Sequence, residues 1–175
     1  MSREASNIAA TIRQAVVEDA DGIARIFLES AEYHASLDSE LYFVPAAETI
    51  AERYREGKQH SPDAKENVTF VAELGGEIVG FIDARSYQPL DAMHRAMIFC
   101  LVSEIAVGRK HQNQGIGREL LRKAEDWGRE RGAEFALLEY HAANTLASAF
   151  YQQHMGYRAA SITAIKRLDL SSSRG

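Results

Sequence analysis

The stretch from Met97 to Tyr140 constrains the fold more than any other part of this sequence. Residues Met97 to Val107 are almost continuously apolar, which is typical of a central strand covered on both faces. A polar loop from Gly108 to Gln114 follows, and Gly115 to Arg131 has the apolar spacing of a strong amphipathic helix. Because Phe135 to Tyr140 has the pattern of another buried strand, the helix is predicted to cross over between two neighbouring, parallel strands. The residues expected on its buried face are Ile116, Leu120, Leu121, Ala124 and Trp127.

The elements before this stretch are predicted from shorter patterns. In order, they are a weak strand Thr11 to Ala15, a helix Glu18 to Ala31, a helix from Pro45 to Gly57, and strands Val68 to Leu74 and Ile78 to Ala84. Gly75-Gly76 can take the positive φ angles of a tight hairpin between the two strands. The segments Lys58 to Asn67 and Gln88 to His94 are expected to be loops.

The C-terminal part is predicted to hold one helix and one closing strand. The helix covers Asn144 to Met155, with Asn144 as its N-cap, Gly156 as the C′ residue and Tyr157 as the apolar partner at C″. The closing strand is expected at Ile162 to Leu168. The complete order indicates a mixed α/β fold whose mostly antiparallel sheet contains one parallel pair of strands.

Composition limits the possible classes of function. The 175 residues suffice for one domain, expected to span 1–175 with an ordered core at about 9–170 between polar tails. Hydrophobic residues make up 46% and charged residues 26%, which is typical of a soluble globular protein. No apolar run is long enough to span a membrane and Met1 to Ala10 lacks the apolar core of a signal peptide, so a cytoplasmic location is expected. The single cysteine, Cys100, excludes an intrachain disulfide and a cysteine-based metal cluster.

The chain is acidic, with one basic exception. Its formal net charge of −5 argues against general affinity for nucleic acid or an anionic membrane. From Gly108 to Lys123, however, one acid, Glu119, stands among five basic residues: Arg109, Lys110, Arg118, Arg122 and Lys123. Such a basic island fits a compact polyanionic ligand, but pairs such as Glu119–Lys123 would also fit a solvated helix face. Composition leaves both interpretations open.

The loop from Gln112 to Arg118 lies between a predicted buried strand and a predicted helix N-terminus. Main-chain N–H groups there lack partners within the helix, and together with the helix dipole they form an anion site. Gly115 and Gly117 would let phosphate oxygens approach the backbone without hindrance from a Cβ atom. A cation at Arg118 is mildly unfavourable in a first helical turn, and a bound phosphate would offset that cost.

Three kinds of nucleotide loop compete for this segment. A Walker A loop has Lys-Ser or Lys-Thr after its second glycine, whereas Gly117 is followed by Arg118-Glu119. A dinucleotide-binding fingerprint has a third glycine three residues further on, where this chain has Leu120. A coenzyme A loop is the interpretation that remains.

Two motifs resemble those of the GNAT superfamily of N-acetyltransferases. Ile105-Ala106-Val107 followed by Gln112-x-x-Gly115-x-Gly117 resembles the acetyl-CoA signature of that family. Asn144-x-x-Ala147-x-x-x-Tyr151-x-x-x-x-Gly156-Tyr157 resembles the motif that follows it. The resemblance implies a GNAT-like acyl-CoA N-acyltransferase fold, with helices on both faces of the sheet and a parallel pair of strands that splay apart.

The resemblance also implies a donor and a chemistry. Acetyl-CoA would be the co-substrate, without a metal, and its pantetheine arm would pair with the strand edge near Ile105 to Val107, where a main-chain N–H could polarise the thioester carbonyl. In the family a tyrosine at the position of Tyr151 protonates the leaving thiolate; the alternative for Tyr151 is a core aromatic beside Phe150. The residues expected to bind the cofactor are Ile105, Ala106, Val107, Gln112, Asn113, Gln114, Gly115, Ile116, Gly117, Arg118, Asn144 and Tyr151.

An acceptor amine must lose a proton, and two carboxylates are candidates to take it. Glu104 and Glu139 each interrupt a predicted buried strand, and burial would raise a carboxyl pKa towards that of a useful base. Glu139 resembles the base of the members that acetylate ribosomal-protein N-termini and is the first choice. Glu104 is kept as an orienting or substrate-side group. Strict alternation would put its side chain on the sheet face opposite to that of Ser103 and Ile105, unless a β-bulge intervenes. Two alternatives stay open: a water relay with no dedicated base, and a role for either carboxylate in fixing a loop.

The stretch from Glu29 to Phe43 is expected to join the first two helices and, by the same resemblance, to form a wall of the acceptor cleft. Its acidic and aromatic residues fit a cationic primary amine, but they also fit a solvated acidic connector. None of the six histidines has metal-ligand spacing. The main alternative to an enzyme is a non-catalytic acyl-CoA-binding sensor or regulatory domain, and a homodimer is possible by resemblance alone.

Overall fold

The structure, a computed structural model, describes residues 10–57, 66–89 and 95–168. The chain divides into two compact units, residues 1–141 and 142–175. The first unit contains β1 (Thr11–Gln14), α1 (Ala20–Leu37), α2 (Ala47–Arg55), β2 (Asn67–Leu74), β3 (Glu77–Tyr87), β4 (Phe99–Val107), α3 (Ile116–Glu130) and β5 (Phe135–Leu138). Short 3₁₀ turns cover Val17–Asp19 and Arg109–His111.

The five strands form one sheet in the order β1-β2-β3-β4-β5. Neighbouring strands from β1 to β4 are antiparallel, and β5 runs parallel to β4. α3 connects β4 to β5, which confirms the predicted crossover helix. The five residues predicted on its inner face are all buried: Ile116, Leu120, Leu121, Ala124 and Trp127. The mixed sheet with one parallel pair confirms the predicted fold class.

Helices cover both faces of the sheet. The Lys123 ammonium of α3 lies 5.6 Å from the centre of the Phe70 ring, whereas the neighbouring Val71 belongs to the apolar cluster formed with α1 and α2. Successive side chains of a strand point to opposite faces, so α3 covers one face and α1 and α2 cover the other. Phe81 of β3 packs against both helices of the second face, because its ring centre lies 6.4 Å from that of Phe27 on α1 and 5.8 Å from that of Tyr54 on α2.

β2 is buried on both faces, because helices cover the sheet on both sides. Two predictions for this unit need correction. α1 continues to Leu37, well beyond the predicted end at Ala31. β5 ends at Leu138 and has no buried residue, so the predicted buried strand Phe135 to Tyr140 is wrong in length and burial. The position of β5 at the sheet edge explains this, since Phe135 is 51% exposed there.

The second unit begins with α4 (Thr145–Ala149), which passes directly into a π-helical turn at Phe150–His154. The Asn144 side chain accepts a hydrogen bond from the Ala147 main-chain N–H at 3.0 Å, which confirms Asn144 as the N-cap. Gly156 has a φ of +77°, as expected for the C′ residue. The single helix predicted for this segment is therefore an α-helix of about one turn followed by a wider turn.

Residues 158–168 form no helix or strand, so the closing strand predicted at Ile162 to Leu168 is wrong. Ile162 and Ile165 are 95% and 68% exposed, and their spacing of three residues does not put them on one face of a strand. The two predicted loops lie partly, and the polar tails wholly, outside the described residues, and the single-domain assignment stays a prediction. Among the described residues, no helix combines the length and apolar character that crossing a membrane requires.

Candidate active site

The loop after β4 is held in shape by its own residues. The Gln112 side chain donates a hydrogen bond to the Val107 carbonyl at 3.1 Å, which closes the loop over the end of β4. Asn113 and Gly115 then take positive φ angles of 60° and 83°. Asparagine and glycine are the residues that adopt this conformation at low cost, and here they turn the chain into α3, whose N-cap is Gly115.

The start of the loop is anchored to α1. The Arg109 main-chain N–H donates to Glu29 Oε2 at 2.7 Å, and the Arg109 guanidinium donates to Glu32 Oε2 at 2.5 Å. Gly108 leaves no room for a side chain, since a Cβ atom there would lie 2.9 Å from Ile26 Cδ1. The close approach of α1 therefore fixes where the loop begins.

The main-chain N–H groups from Gln112 to Arg118 have no hydrogen-bond acceptor within the part of the chain that the structure describes. The first bond of α3 runs from the Glu119 N–H to the Gly115 carbonyl at 3.1 Å. The groups before it lie at the positive end of the helix dipole. A Cβ atom built at Gly115 would meet no atom of the described residues within 4 Å, so these residues leave the space over the loop open. This arrangement can bind an anion.

Three of the five cations in the basic island have no ion-pair partner among the described residues: Lys110, Arg118 and Lys123, the last of which lies over the Phe70 ring. Glu119 contacts Arg122 at 3.4 Å, and not Lys123 as the helix spacing suggested. Among the described residues, Lys110 and Arg118 form no ion pair, and both are exposed. Lys110 precedes the unsatisfied N–H groups and Arg118 is the last residue among them, so positive charge flanks the loop at both ends.

β4 and β5 pair over only part of their length. Their ladder runs from Phe99↔Phe135 to Val102↔Leu138, where β5 ends while β4 continues to Val107. On the β5 side, Ile105, Ala106 and Val107 therefore have no strand partner among the described residues. An open strand edge of this kind can pair with an extended ligand.

A β-bulge in β4 turns Glu104 towards α1 and α2. Asp83 of β3 pairs with Glu104, but the next residue, Ala84, pairs with Val102, so Ser103 is the extra residue. One extra residue reverses the alternation of side chains. Glu104 therefore lies on the sheet face of Asp83, opposite Ile105 as strict alternation predicts, and the bulge breaks the alternation between Val102 and Glu104.

Asp83 lies beside Glu104 and is 1% exposed. The Tyr54 hydroxyl donates to Asp83 Oδ2 and the Thr69 hydroxyl donates to Asp83 Oδ1, each at 2.6 Å. Burial raises the pKa of Asp83 to about 6, although both hydrogen bonds and the charge of Arg53 favour its ionised form. Burial, and then the charge of Asp83, raise the pKa of Glu104 to about 7 against the opposing charge of Arg53. Glu104 can therefore exchange a proton near neutral pH.

Glu139 does not have the surroundings that its sequence suggested. It follows the last residue of β5 and is exposed, so the expectation that it is a buried carboxylate is wrong. Burial, which would raise the pKa of a carboxyl group towards that of a useful base, therefore applies to Glu104 and not to Glu139. A catalytic role for Glu139 stays a prediction.

Tyr151 lies in the π-helical turn of the second unit and is 7% exposed. Its ring centre lies 5.1 Å from that of Phe150 and 5.8 Å from that of Tyr157. The Tyr157 main-chain N–H donates to the Tyr151 carbonyl at 3.0 Å, which closes the turn. Single π-helical turns are frequent at functional sites, and the spacing of apolar residues carries no sign of this one.

An aromatic and acidic cluster lies at the C-terminal end of α1. The Tyr42 ring centre is 5.4 Å from that of His34 and 5.8 Å from that of His141. His141 Nε2 lies 3.6 Å from Asp38 Oδ2. We call these four residues the Asp38–His141 cluster. The stretch predicted to connect the first two helices is helical as far as Leu37, so α1 itself carries part of this cluster.

Asp83, Tyr54 and Thr69 were not among the predicted site residues. Asp83 interrupts the apolar strand from Ile78 to Ala84, and this is the same signal that singled out Glu104. Among the described residues, no group of three or more His, Cys, Asp or Glu side chains could hold a metal ion.

Sequence comparison shows the family. Residues 31–157 match the acetyltransferase (GNAT) family. Acetyl transferase GW6a of Oryza sativa subsp. japonica is 32% identical over 107 residues, which are 57% of this chain and 25% of that protein. The chain thus spans about a quarter of the length of the curated relative that it matches.

Solved structures show the same fold. A mutant of the BH1408 protein from Bacillus halodurans matches with a TM-score of 0.80 and 21% identity over 90% of this chain and 99% of that one. Aminoglycoside N-acetyltransferase AAC(6')-Iy in complex with CoA matches with a TM-score of 0.70 and 16% identity over 96% of this chain and 99% of that one. The family match covers most of the chain and includes both motifs, and the chain therefore belongs to the GNAT family of acetyltransferases.

Proposed function

We propose that this protein transfers the acetyl group of acetyl-CoA to a primary amine by direct attack in a ternary complex. The observation that carries the proposal is the series of unsatisfied main-chain N–H groups from Gln112 to Arg118, which follows an unpaired strand edge. A diphosphate can satisfy such N–H groups, and an extended pantetheine arm can pair with such an edge. Membership of the GNAT family supports acetyl-CoA as the donor.

Each part of the cofactor has a proposed binding segment. The N–H groups of the loop surround the diphosphate, and the side chains of Lys110 and Arg118 add positive charge. The pantetheine arm pairs with β4 at Ile105 to Val107. Asn144 and Tyr151 stay predicted cofactor contacts on the strength of their motif.

The reaction starts with an acceptor in its ammonium form, which must lose a proton before its nitrogen has a lone pair. We assign that proton to the carboxylate of Glu104, because it is the desolvated candidate. The neutral amine then attacks the thioester carbon, the C–N bond forms, and a main-chain N–H at the β4 edge stabilises the oxyanion. Glu139 is the alternative acceptor for the proton, and its exposed position makes it the weaker one.

Collapse of the tetrahedral intermediate breaks the C–S bond. The Tyr151 hydroxyl donates its proton to the leaving thiolate, which needs little help because a thiol has a pKa of about 8.5. The tyrosinate regains a proton from the product nitrogen through water, and Glu104 releases the first proton to solvent. One proton is therefore released for each acetyl group that is transferred.

The Asp38–His141 cluster supports an acceptor that is cationic at neutral pH. A carboxylate beside aromatic rings can bind an ammonium group through charge and cation–π contacts. AAC(6')-Iy, which shares the fold, is an aminoglycoside N-acetyltransferase, so aminoglycosides belong in any test together with polyamines and peptide amines.

A thiol-release screen tests the proposal. Purified protein and acetyl-CoA are incubated with each class of amine, free CoA is measured, and mass spectrometry identifies the acetylated product. The expected result is amine-dependent release that Glu104→Gln reduces more than Glu139→Gln. Binding of acetyl-CoA without turnover on any amine would favour the acyl-CoA sensor instead, and a protein that does not bind acetyl-CoA would overturn both.

A further inference from the structure

Asp83 is a buried carboxylate to which the proposed reaction gives no task. A charge buried in this way is costly unless other groups compensate for it. Among the described residues, Asp83 has no cation at ion-pair distance; two hydroxyl groups hold it instead, from Tyr54 on α2 and Thr69 on β2. Keeping the carboxylate inside the sheet therefore has a cost that packing alone does not explain.

The hydroxyl groups fix Asp83 in one orientation. Each carboxylate oxygen accepts one hydrogen bond of 2.6 Å, so rotation of the carboxylate would break both. Hydrogen bonds donated to a carboxylate favour its ionised form. Tyr54 stays a donor, because burial and the charge of Asp83 raise the pKa of its hydroxyl far above the ordinary value.

Glu104 is the cross-strand partner of Asp83 on the same face of the sheet. Directly opposed residues have Cβ atoms about 5 Å apart, which is close enough for strong repulsion between two carboxylates. The bulge at Ser103 allows this pairing to follow the Ala84–Val102 pair, since regular alternation from Val102 would turn Glu104 to the other face. Among the described residues, the charged and titratable groups that act on Glu104 are Asp83 on β3, and Arg53 and Tyr54 on α2.

We propose that Asp83 is a positioning residue for acetyl transfer: held ionised by Tyr54 and Thr69, it faces Glu104 and strengthens the hold of Glu104 on the proton of the acceptor ammonium. The proton moves from the acceptor nitrogen to Glu104, and Asp83 neither gives nor takes one. The role of Asp83 in the reaction rests on the proposed function. The electrostatic coupling of the two carboxyl groups, however, is a property of the ligand-free protein and can be measured without a substrate.

Carboxyl ¹³C NMR titration of ligand-free protein tests the coupling. The Glu104 resonance is assigned by its loss in Glu104→Gln, and its midpoint in the wild-type protein is expected near pH 7. Asp83→Asn keeps Glu104 desolvated but removes the opposing charge, so the midpoint should fall by on the order of one pH unit, a tenfold change in proton affinity. An unchanged midpoint in folded Asp83→Asn would overturn the proposal.

Thr69 supplies a second test if Asp83→Asn does not fold. Thr69→Val removes one hydrogen bond that favours ionised Asp83, so Asp83 takes up a proton more readily and the Glu104 midpoint should fall, by less than in Asp83→Asn. Thr69→Ser restores the hydroxyl and should restore the midpoint. A Thr69→Val protein that titrates like the wild type would contradict the proposed role of the hydroxyl pair.

The pH dependence of turnover separates this inference from the function on which it rests. On a true acceptor, the acidic limb of kcat/KM should move to lower pH in Asp83→Asn by the amount seen in the NMR titration. If the midpoint moves but the acidic limb does not, Asp83 has no positioning role in the reaction. If turnover is found but the midpoint does not move, acetyl transfer stands and the inference fails.

Discussion

Gly115 offers a direct perturbation of the cofactor loop with a matched control. Its φ angle is +83°, and Gly76 in the β2–β3 hairpin has a φ of +84°. Within the part of the chain that the structure describes, a Cβ atom at either position would meet no atom within 4 Å. Gly115→Ala and Gly76→Ala therefore impose the same backbone strain and differ in where the added methyl group lies.

The effect on stability should be equal in the two variants. A left-handed conformation costs an L-residue about 1–2 kcal/mol, and the lower entropy of the unfolded alanine chain returns about 0.4–1 kcal/mol. Each variant should therefore lose about 1 kcal/mol of unfolding free energy. Urea denaturation of the ligand-free proteins measures this quantity and shows whether the control is matched.

The effect on acetyl-CoA binding should differ. In Gly115→Ala the methyl group occupies the space over the loop and pushes the diphosphate away from at least one N–H group. A hydrogen bond to a charged group contributes about 1.5–3 kcal/mol, so the Kd should rise about tenfold or more. Calorimetry should find no change in Gly76→Ala. Equal Kd values in the two variants would refute the assignment of this loop to the diphosphate.

Three further outcomes are expected. Tyr151→Phe should lower kcat on a true acceptor by on the order of 10²-fold, and Tyr157→Phe, which changes the neighbouring ring, should not; comparable losses would remove Tyr151 as the acid. Turnover should rise with pH through about 7, because the Glu104 carboxyl must be ionised to take the proton; Glu104→Gln should lose this limb in the pH–rate profile while Glu139→Gln keeps it. Asp83 and Glu104 have pKa values of about 6 and about 7 in the folded protein, above their values in the unfolded chain. The folded state therefore binds more protons than the unfolded state between about pH 4 and 7. Because of this difference, the contribution of the two groups to stability is lost as the pH rises through that range. Lowering the pH from about 7.5 to about 5 should thus raise the unfolding free energy by on the order of 4 kcal/mol, and a flat or opposite dependence in urea denaturation would contradict these shifts.

Local patterns sufficed to predict several elements. The inner face of α3 follows from helical spacing alone, and the Asn144 cap follows from a side chain that can satisfy a free N–H group at a helix start. The Gly75-Gly76 hairpin follows in the same way, because few other residues accept its positive φ angles. In each case the cause lies within a few residues of the element.

Long-range pairing decided what the sequence could not reveal. The bulge at Ser103 depends on the register between β3 and β4, and without it Glu104 would lie on the same face as Val102. Glu139 is exposed because β5 ends at the sheet edge one residue before it, although its apolar neighbours resemble those of Glu104. Asp83 interrupts an apolar run as Glu104 does, but its hydroxyl partners come from distant parts of the chain and its strand carries no recognised motif.

Main-chain amide NMR provides the most direct test of the cofactor loop. In ¹⁵N-labelled protein titrated with acetyl-CoA, the amide signals from Gln112 to Arg118 should move, together with those of β4 from Ile105 to Val107. Acetyl-pantetheine, which lacks the diphosphate, should move the β4 signals and leave the loop signals in place. Loop signals that stay unchanged at saturating acetyl-CoA, or that respond equally to both ligands, would contradict a diphosphate site built from these N–H groups.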